Sequence, residues 1–303
     1  LPVNRTALVV GGGIAGMTCA LSIAGQGHEV HLVEKDSDLG GMARNIHYTL
    51  DGMDVQAYLG DLVRSVYQNP FIHVYNDAVI TEATGYVGNF VTRVRSQRGN
   101  TEIQHGAAVI AVGAQAYEPT EFLYGEDDRV LTNLELENRI IKEDEKLLNS
   151  RSLVMIQCIG CRNEERNYCS RICCNQSIKN ALKLKKINPE MDVHILFRDI
   201  RSYGFAEDYY REASNSDVRF IRYEPENKPQ VEAVTAEGRP VLRVAIDDPI
   251  LGQKIAIDAD FISLAAAVVP PGANQEISQW FKVPLGSDEF FKEAHVKLRP
   301  VEF

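Results

Sequence analysis

From residue 7 the chain reads ALVV, then GGGIAG (11–16), then MTCALSIAGQG (17–27), and after His28 EVHLVEK (29–35). An apolar run, a glycine loop, a helical stretch and a second apolar run ending in a carboxylate predict a βαβ unit at the outset. Gly11, Gly13 and Gly16 give the spacing G-x-G-x-x-G, and Glu34 follows Gly16 by 18 residues. The spacing has a mechanism. Gly11 permits the tight turn, Gly13 lets the backbone approach a pyrophosphate, and Gly16 lets the helix pack on the strand. The helix N-terminus offers unpaired N–H groups and positive dipole to phosphates. Glu34 is placed to accept from ribose hydroxyls, and its charge would repel a 2′-phosphate. LGGMAR (39–44) follows within a few residues, and AAVIAVG (107–113) is a buried strand ending at Gly113. A glycine pair there lets the backbone run close to a dinucleotide.

A second unit of the same kind is expected further on. The charged segment 121–150 reads as largely helical. SLVMIQ (152–157) reads as a buried strand, SRICCNQSIKNALKLKKI (170–187) as its helix and MDVHILFRDI (191–200) as the next strand. Where a phosphate loop would stand, the chain carries QCIGCRNEERNYCSRICC (157–174), five of its six cysteines. Cys158 falls at the carboxyl end of the strand, where open α/β sheets bind ligands. Cys169 and Cys173, spaced i, i+4 at the expected helix start, would share a face, and Cys174 turns about 100° away. Arg162, Arg171 and the helix N-terminus would favour thiolate over thiol. Four such cysteines suit a 4Fe–4S cluster. A tetrahedral zinc site, a Cys158–Cys161 redox dithiol and plainly buried thiols are the rival readings. Cys19, alone on the first helix, reads as core.

Composition sets bounds on this reading. The chain has 303 residues and a formal net charge of −10, which argues against a nucleic-acid or anionic-membrane partner. Its longest apolar run, FISLAAAVV (261–269), is far short of the roughly 20 residues of a membrane helix. The chain opens without a secretory signal, so clustered cysteines read as cytoplasmic metal or redox chemistry. The seven histidines show no metal spacing. Arg198, Asp199, Arg201 and Tyr203 follow a strand and read as a surface ion network rather than as part of a site.

The motifs VVGGGIAGM, VEK…LGGMA, YCSRICC, FRDIRSYG and FFKEAHVKLRP together resemble the FAD-containing core of the heterodisulfide reductase A-subunit family and related flavoproteins of quinone-linked complexes. The resemblance implies an α/β, glutathione-reductase-like FAD/NAD(P)-binding fold: two Rossmann-like units, each a three-layer sandwich. It implies an FAD-binding domain of residues 1–118 plus 255–303, and a degenerate NAD-type domain of residues 119–254 carrying the cysteines. FAD would lie on Gly11, Gly13, Ile14, Ala15, Gly16, Glu34, Lys35, Gly40, Gly41, Met42 and Gly113. A 4Fe–4S cluster would lie on Cys158, Cys169, Cys173 and Cys174, with Cys161, where the family generally has Ser, as a spare or alternative ligand. The implied activity is oxidoreductase electron transfer between partner subunits, with hydrogenase or formate-dehydrogenase donors and a homodimer among the expected assemblies. No ferredoxin-type cysteine run is present, and the chain stops before the last strand and helix of the usual flavin domain. Weak flavin retention is therefore expected, and absorbance after gel filtration measures it.

Overall fold

The computed structural model describes residues 3–302. The chain divides into two compact units: Leu1–Ile46 with Asp54–Gln115 and Val269–Phe303, and His47–Met53 with Ala116–Val268. The division differs from the boundaries read from sequence at three places. Residues 116–118 and 255–268 lie in the second unit rather than the first; the strand Phe261–Ala266 among the latter is paired on both sides within that unit's sheet. The short stretch His47–Met53 also belongs with the second unit.

In the first unit, β1 (Ala7–Val10) leads through α1 (Ile14–Gly25) to β2 (Val30–Val33). A 3-10 turn (Gly41–Asn45) and α2 (Val55–Gln68) follow, then β3 (Ile72–Tyr75). An antiparallel meander of β4 (Ala78–Tyr86), β5 (Asn89–Ser96) and β6 (Gly99–His105) precedes β7 (Ala107–Ile110). The parallel sheet has the order β3-β2-β1-β7. Leu8, Val9, Val30 and Leu32 are wholly buried, as strands covered on both faces must be. On one face Val9, Val30 and Leu32 pack with Met17, Ala20 and Ala24 of α1 and Leu59 and Val66 of α2. On the other, Leu8, Val10 and Val33 pack with Ile80, Val94 and Ile103 of the meander. Helices, parallel sheet and meander are the three layers. Asp54 caps α2 by accepting the Ala57 N–H at 2.9 Å, whereas α1 begins at Gly13 with no side-chain cap.

A two-residue strand, β8 (Gln115–Ala116), precedes the second unit's sheet. Residues 121–129 are irregular and Val130–Thr132 is a strand, β9, so the expected helical crossover is shorter than its composition implied. The helices α3 (Asn133–Ile141) and α4 (Glu145–Leu148) account for the rest of that segment. Next come β10 (Ser152–Ile159), α5 (Cys173–Ile187), β11 (Asp192–Phe197), α6 (Ala206–Asn215) and β12 (Val218–Arg222). An antiparallel sheet of β13 (Gln230–Ala236), β14 (Arg239–Asp248) and β15 (Gln253–Ala259) leads into β16 (Phe261–Ala266). The parallel order is β12-β11-β10-β16-β9. Leu153, Met155 and Ile195 meet Ile178, Ala181 and Leu184 of α5 on one face. Val154, Ile156 and Leu264 meet Leu242, Val244 and Ala259 on the other. The same three layers are built twice. Finally β17 (Val268–Val269) pairs with β8, and α7 (Asn274–Phe281) places Ile277 in the core behind the first unit's meander.

Candidate functional site

In the first unit, three loops meet at the carboxyl ends of β2, β1 and β7. Gly11 has φ +104°, and a Cβ there would lie 2.3 Å from the Ala111 carbonyl oxygen beyond β7. A Cβ on Gly16 would lie 1.9 Å from the Gly11 oxygen. Both glycines are therefore required by the protein's own packing. Gly13 differs, because nothing lies within 4 Å of its absent Cβ. The loop after β2 crosses here: Gly13 and Gly40 form a β-bridge, and the Gly40 N–H donates to the Gly12 oxygen at 2.8 Å. Gly41 packs against Gly13, and Met42 lies in the 3-10 turn just beyond it. Ile14 and Ala15 open α1, whose first N–H groups have no side-chain acceptor at Gly13. Gly113 follows β7 at φ +67° with open space around it.

Glu34 is buried, at 6 % exposure. Its Oε2 accepts the Gly12 N–H at 2.6 Å, and its Oε1 accepts the Asp36 N–H at 2.9 Å. The carboxylate therefore ties the glycine loop to the end of β2, and each oxygen keeps further acceptor capacity. Lys35 turns outward to pair with Asp36 at 2.7 Å. Arg44 joins the same carboxylate at 2.7 Å. Hydrogen bonding from Lys35, with Arg44 assisting, holds the Asp36 carboxyl below its ordinary range. An uncapped helix end, an open glycine and a buried acid on the neighbouring strand are the features that helix-N-terminal phosphate sites use.

In the second unit, the sheet's carboxyl end carries sulfur instead. β10 breaks register between Ile156 and Ile159, and Cys158 sits in that bulge at φ +64°. A bulge re-aims a side chain. The Cys161 thiol hydrogen-bonds to the Cys158 sulfur, which holds Cys158 well below the usual thiol range and pushes Cys161 up. Arg162 lies 3.8 Å from the Cys158 Sγ and pairs with Asp199 at 2.6 Å. Arg198 braces the turn by donating to the Arg162 carbonyl at 2.7 Å, and its own charge also favours the Cys158 thiolate.

α5 starts at Cys173, not at residue 170, because Arg171 at φ +63° interrupts the helix. Cys169 therefore precedes the helix and does not share a helical face with Cys173. Its sulfur accepts the Arg171 N–H at 3.3 Å. Cys173 and Cys174 are the first two helical residues, and the Cys174 Sγ lies 3.8 Å from the Asp199 carbonyl. Burial, then Cys174, Cys158 and Cys169, raise the Cys173 thiol to about 12. Cys174 is raised by burial, and both Cys158 and Cys169 act on it. Cys158 thus acts on Cys161, Cys173 and Cys174, and Cys169 on the last two. Among the described residues no three His, Cys, Asp or Glu side chains converge as ligands of one metal ion. Cys19 stands apart on α1, half-buried.

Several supports of this nest gave no local signal. The Tyr117 ring lies against Gly160, where a Cβ would come within 2.2 Å of it. Arg166 stacks on the ring at 4.9 Å and donates to the Gly160 carbonyl at 3.2 Å. Gln157, wholly buried, donates to Ser177 of α5 at 2.6 Å, while its carbonyl accepts the Tyr223 hydroxyl at 2.7 Å. Arg198 and Asp199 belong to the nest rather than to a separate surface network, and Arg201 also acts on Cys174. Tyr203 points to solvent.

Two units, each with helices and an antiparallel sheet flanking a parallel one, and a glycine loop at the first sheet's carboxyl end, define an FAD/NAD(P)-binding fold. The NAD(P)-binding Rossmann-like domain signature matches residues 9–78. The thioredoxin reductase of T. acidophilum superposes with a TM-score of 0.61 at 14% identity, covering 99% of this chain and 89% of that one. Lactococcus lactis thioredoxin reductase gives 0.62 at 15% identity, covering 99% and 88%. In sequence, the chain is similar to heterodisulfide reductase A subunits. The iron-sulfur A subunit of CoB–CoM heterodisulfide reductase from Methanocaldococcus jannaschii is 27% identical over 99% of this chain. The A subunit of the H(2)/formate:CoB–CoM heterodisulfide,ferredoxin reductase from Methanococcus maripaludis is also 27% identical over 99%. The chain spans 59% of the length of each of these relatives. Among the described residues no helix is long and apolar enough to cross a membrane.

Proposed function

We propose that the chain is the flavin- and cluster-bearing core of an oxidoreductase of the heterodisulfide-reductase type, passing electrons between partner subunits. The observation that carries this reading is the second unit's sheet end: Cys158 in the bulge of β10 and Cys173 and Cys174 at the start of α5, with Arg162 and Arg198 nearby, stand where a phosphate loop would be. Four thiolate donors suit a 4Fe–4S cluster. Cys173 and Cys174 are adjacent at the helix start, so their side chains diverge by about 100°. That divergence favours a polynuclear centre over zinc, whose four ligands must meet at one point. Cys158, Cys169, Cys173 and Cys174 are the proposed ligands, with Cys161 a fifth thiol in contact with Cys158. Arg162 and Arg198 offset the negative charge gathered there.

In the first unit, Gly11, Gly13, Ile14, Ala15 and Gly16 would hold the FAD pyrophosphate with backbone N–H groups. Glu34 would take the ribose; Lys35, Gly40, Gly41, Met42 and Gly113 line the path around it. Bound FAD supplies exchange between two-electron and one-electron chemistry. The FAD role of the first unit and the degenerate nucleotide-binding role of the second rest on this assignment. By kinship, the partners are the other subunits of a heterodisulfide-reductase-like complex, with hydrogenase or formate-dehydrogenase donors; a cytoplasmic setting and a homodimer accompany the proposal.

The Cys161–Cys158 hydrogen bond favours a second reading, a dithiol that cycles with a disulfide under a pyridine nucleotide. Anaerobic reconstitution separates the two. The first predicts about four iron and four sulfide per chain, with the reduced-cluster EPR signal lost in Cys158→Ala and Cys173→Ala. Stoichiometric zinc without sulfide, or NAD(P)H bleaching of the flavin with two thiols titrated away, would replace it.

A further inference from the structure

The histidines show no metal spacing along the sequence, yet the fold brings two of them together. His31 on β2 and His73 on β3 are register partners in the parallel sheet. Register partners project from the same face, and the ring centroids lie 5.1 Å apart. Two imidazoles bonded to one tetrahedral ion at about 2 Å place their centroids roughly 5 Å apart. The His31 Nδ1 shares a hydrogen bond with the Tyr75 hydroxyl at 3.0 Å. That bond orients the ring and leaves Nε2 for a ligand, the arrangement in which an outer partner fixes a coordinating histidine. His73 on the edge strand is exposed and His31 is half-buried beside it, so the pair is reached from solvent at its His73 side. The carboxylate of Glu29, two residues before His31, acts electrostatically on the His31 ring and would balance a bound cation.

We infer that His31 and His73 form a binding site for a divalent transition-metal ion on the edge of the first sheet. Imidazole pairs suit Zn²⁺, Ni²⁺ and Cu²⁺ over the hard cations. With no third side chain in place among the described residues, the remaining positions fall to water. Such an ion would tie the edge strand to its neighbour.

The test uses the full chain with its thiols first alkylated by iodoacetamide, so that the cysteine nest cannot compete. One equivalent of Cu²⁺ is expected to give an EPR spectrum with superhyperfine splitting from two imidazole nitrogens. His73→Asn, at an exposed position, is expected to fold normally, lose one nitrogen from that pattern and weaken Zn²⁺ binding by calorimetry at least tenfold. Tyr75→Phe should weaken it less, through the freed His31 ring. A two-nitrogen spectrum that survives His73→Asn, Zn²⁺ affinity within twofold of the parent, or no binding at micromolar Zn²⁺ would each overturn the site.

Discussion

Two glycines of the same loop carry different physical constraints. A methyl group on Gly16 would have to displace the Gly11 carbonyl, 1.9 Å from its place. Gly16→Ala is therefore expected to cost about 1–3 kcal/mol of stability, seen as a lowered urea midpoint, and to lose flavin as well. At Gly13 a methyl group meets only open space, and the backbone there is extended at φ −73°. Gly13→Ala is expected to unfold with the parent while its flavin content after gel filtration falls at least tenfold. A matching loss of stability in Gly13→Ala would remove that loop from the proposed phosphate cradle. The second unit offers a harsher case. Lys179, at 8 % exposure, pairs at 2.9 Å with the wholly buried Glu137. That pair is a charge contact rather than a directed hydrogen bond, since Glu137 Oε2 has no hydrogen-bond partner. Lys179→Met would strand the carboxylate, an expected loss of about 3–5 kcal/mol in denaturant unfolding, whereas replacing both partners by apolar residues should recover most of it.

Among the secondary elements, α3 has the strongest local instruction. Thr132 accepts the Glu135 N–H and Glu135 returns the bond to the Thr132 N–H at 2.7 Å. Thr132→Ala is expected to cost about 1 kcal/mol, read as a shift in thermal midpoint without change in flavin or metal content. The same four-residue signature stands in plain view in TNLE (132–135). So does the first βαβ unit, because apolar run, glycine spacing and acid follow one another within a short stretch. The cysteine nest is legible only in part. Its clustering is written in the sequence, but the start of α5 depends on Arg171 adopting a left-handed backbone, which composition does not encode. Tyr117 meets Gly160, and His31 meets His73, across some forty residues of chain in each case; neighbours so distant leave no periodic trace. β9 hides inside a charged segment because three residues, Val130–Thr132, are too few to show alternation.

At the level of the whole molecule, acid sensitivity follows from two buried histidines. Burial holds His105 below the ordinary histidine range, with Thr92 at 2.8 Å and the Ala107 carbonyl at 3.0 Å as its partners. Burial, then the Arg219 charge, does the same to His194. The unfolded chain therefore binds these protons more readily than the folded one, so stability is full above the unfolded value of about 6.5 and declines as pH falls below it. Asp127, held down by its hydrogen bonds to Arg129, adds a second decline as pH falls through the carboxylate range. Urea midpoints are expected to drop as pH is lowered from about 7.5 to about 5.5, across the unfolded histidine value. His105→Gln or His194→Gln should flatten that slope at the expense of some stability at the upper end. A slope unchanged in both variants would place the acid response elsewhere.

The ring of Tyr117 against Gly160 has an evolutionary consequence. The space above the turn between Cys158 and Cys161 is already filled from a distant part of the chain. Gly160 also holds φ +74°, so a homologue that enlarges the residue at 160 must both shrink the one at 117, forfeiting the stacked arginine at 166, and accept a strained backbone.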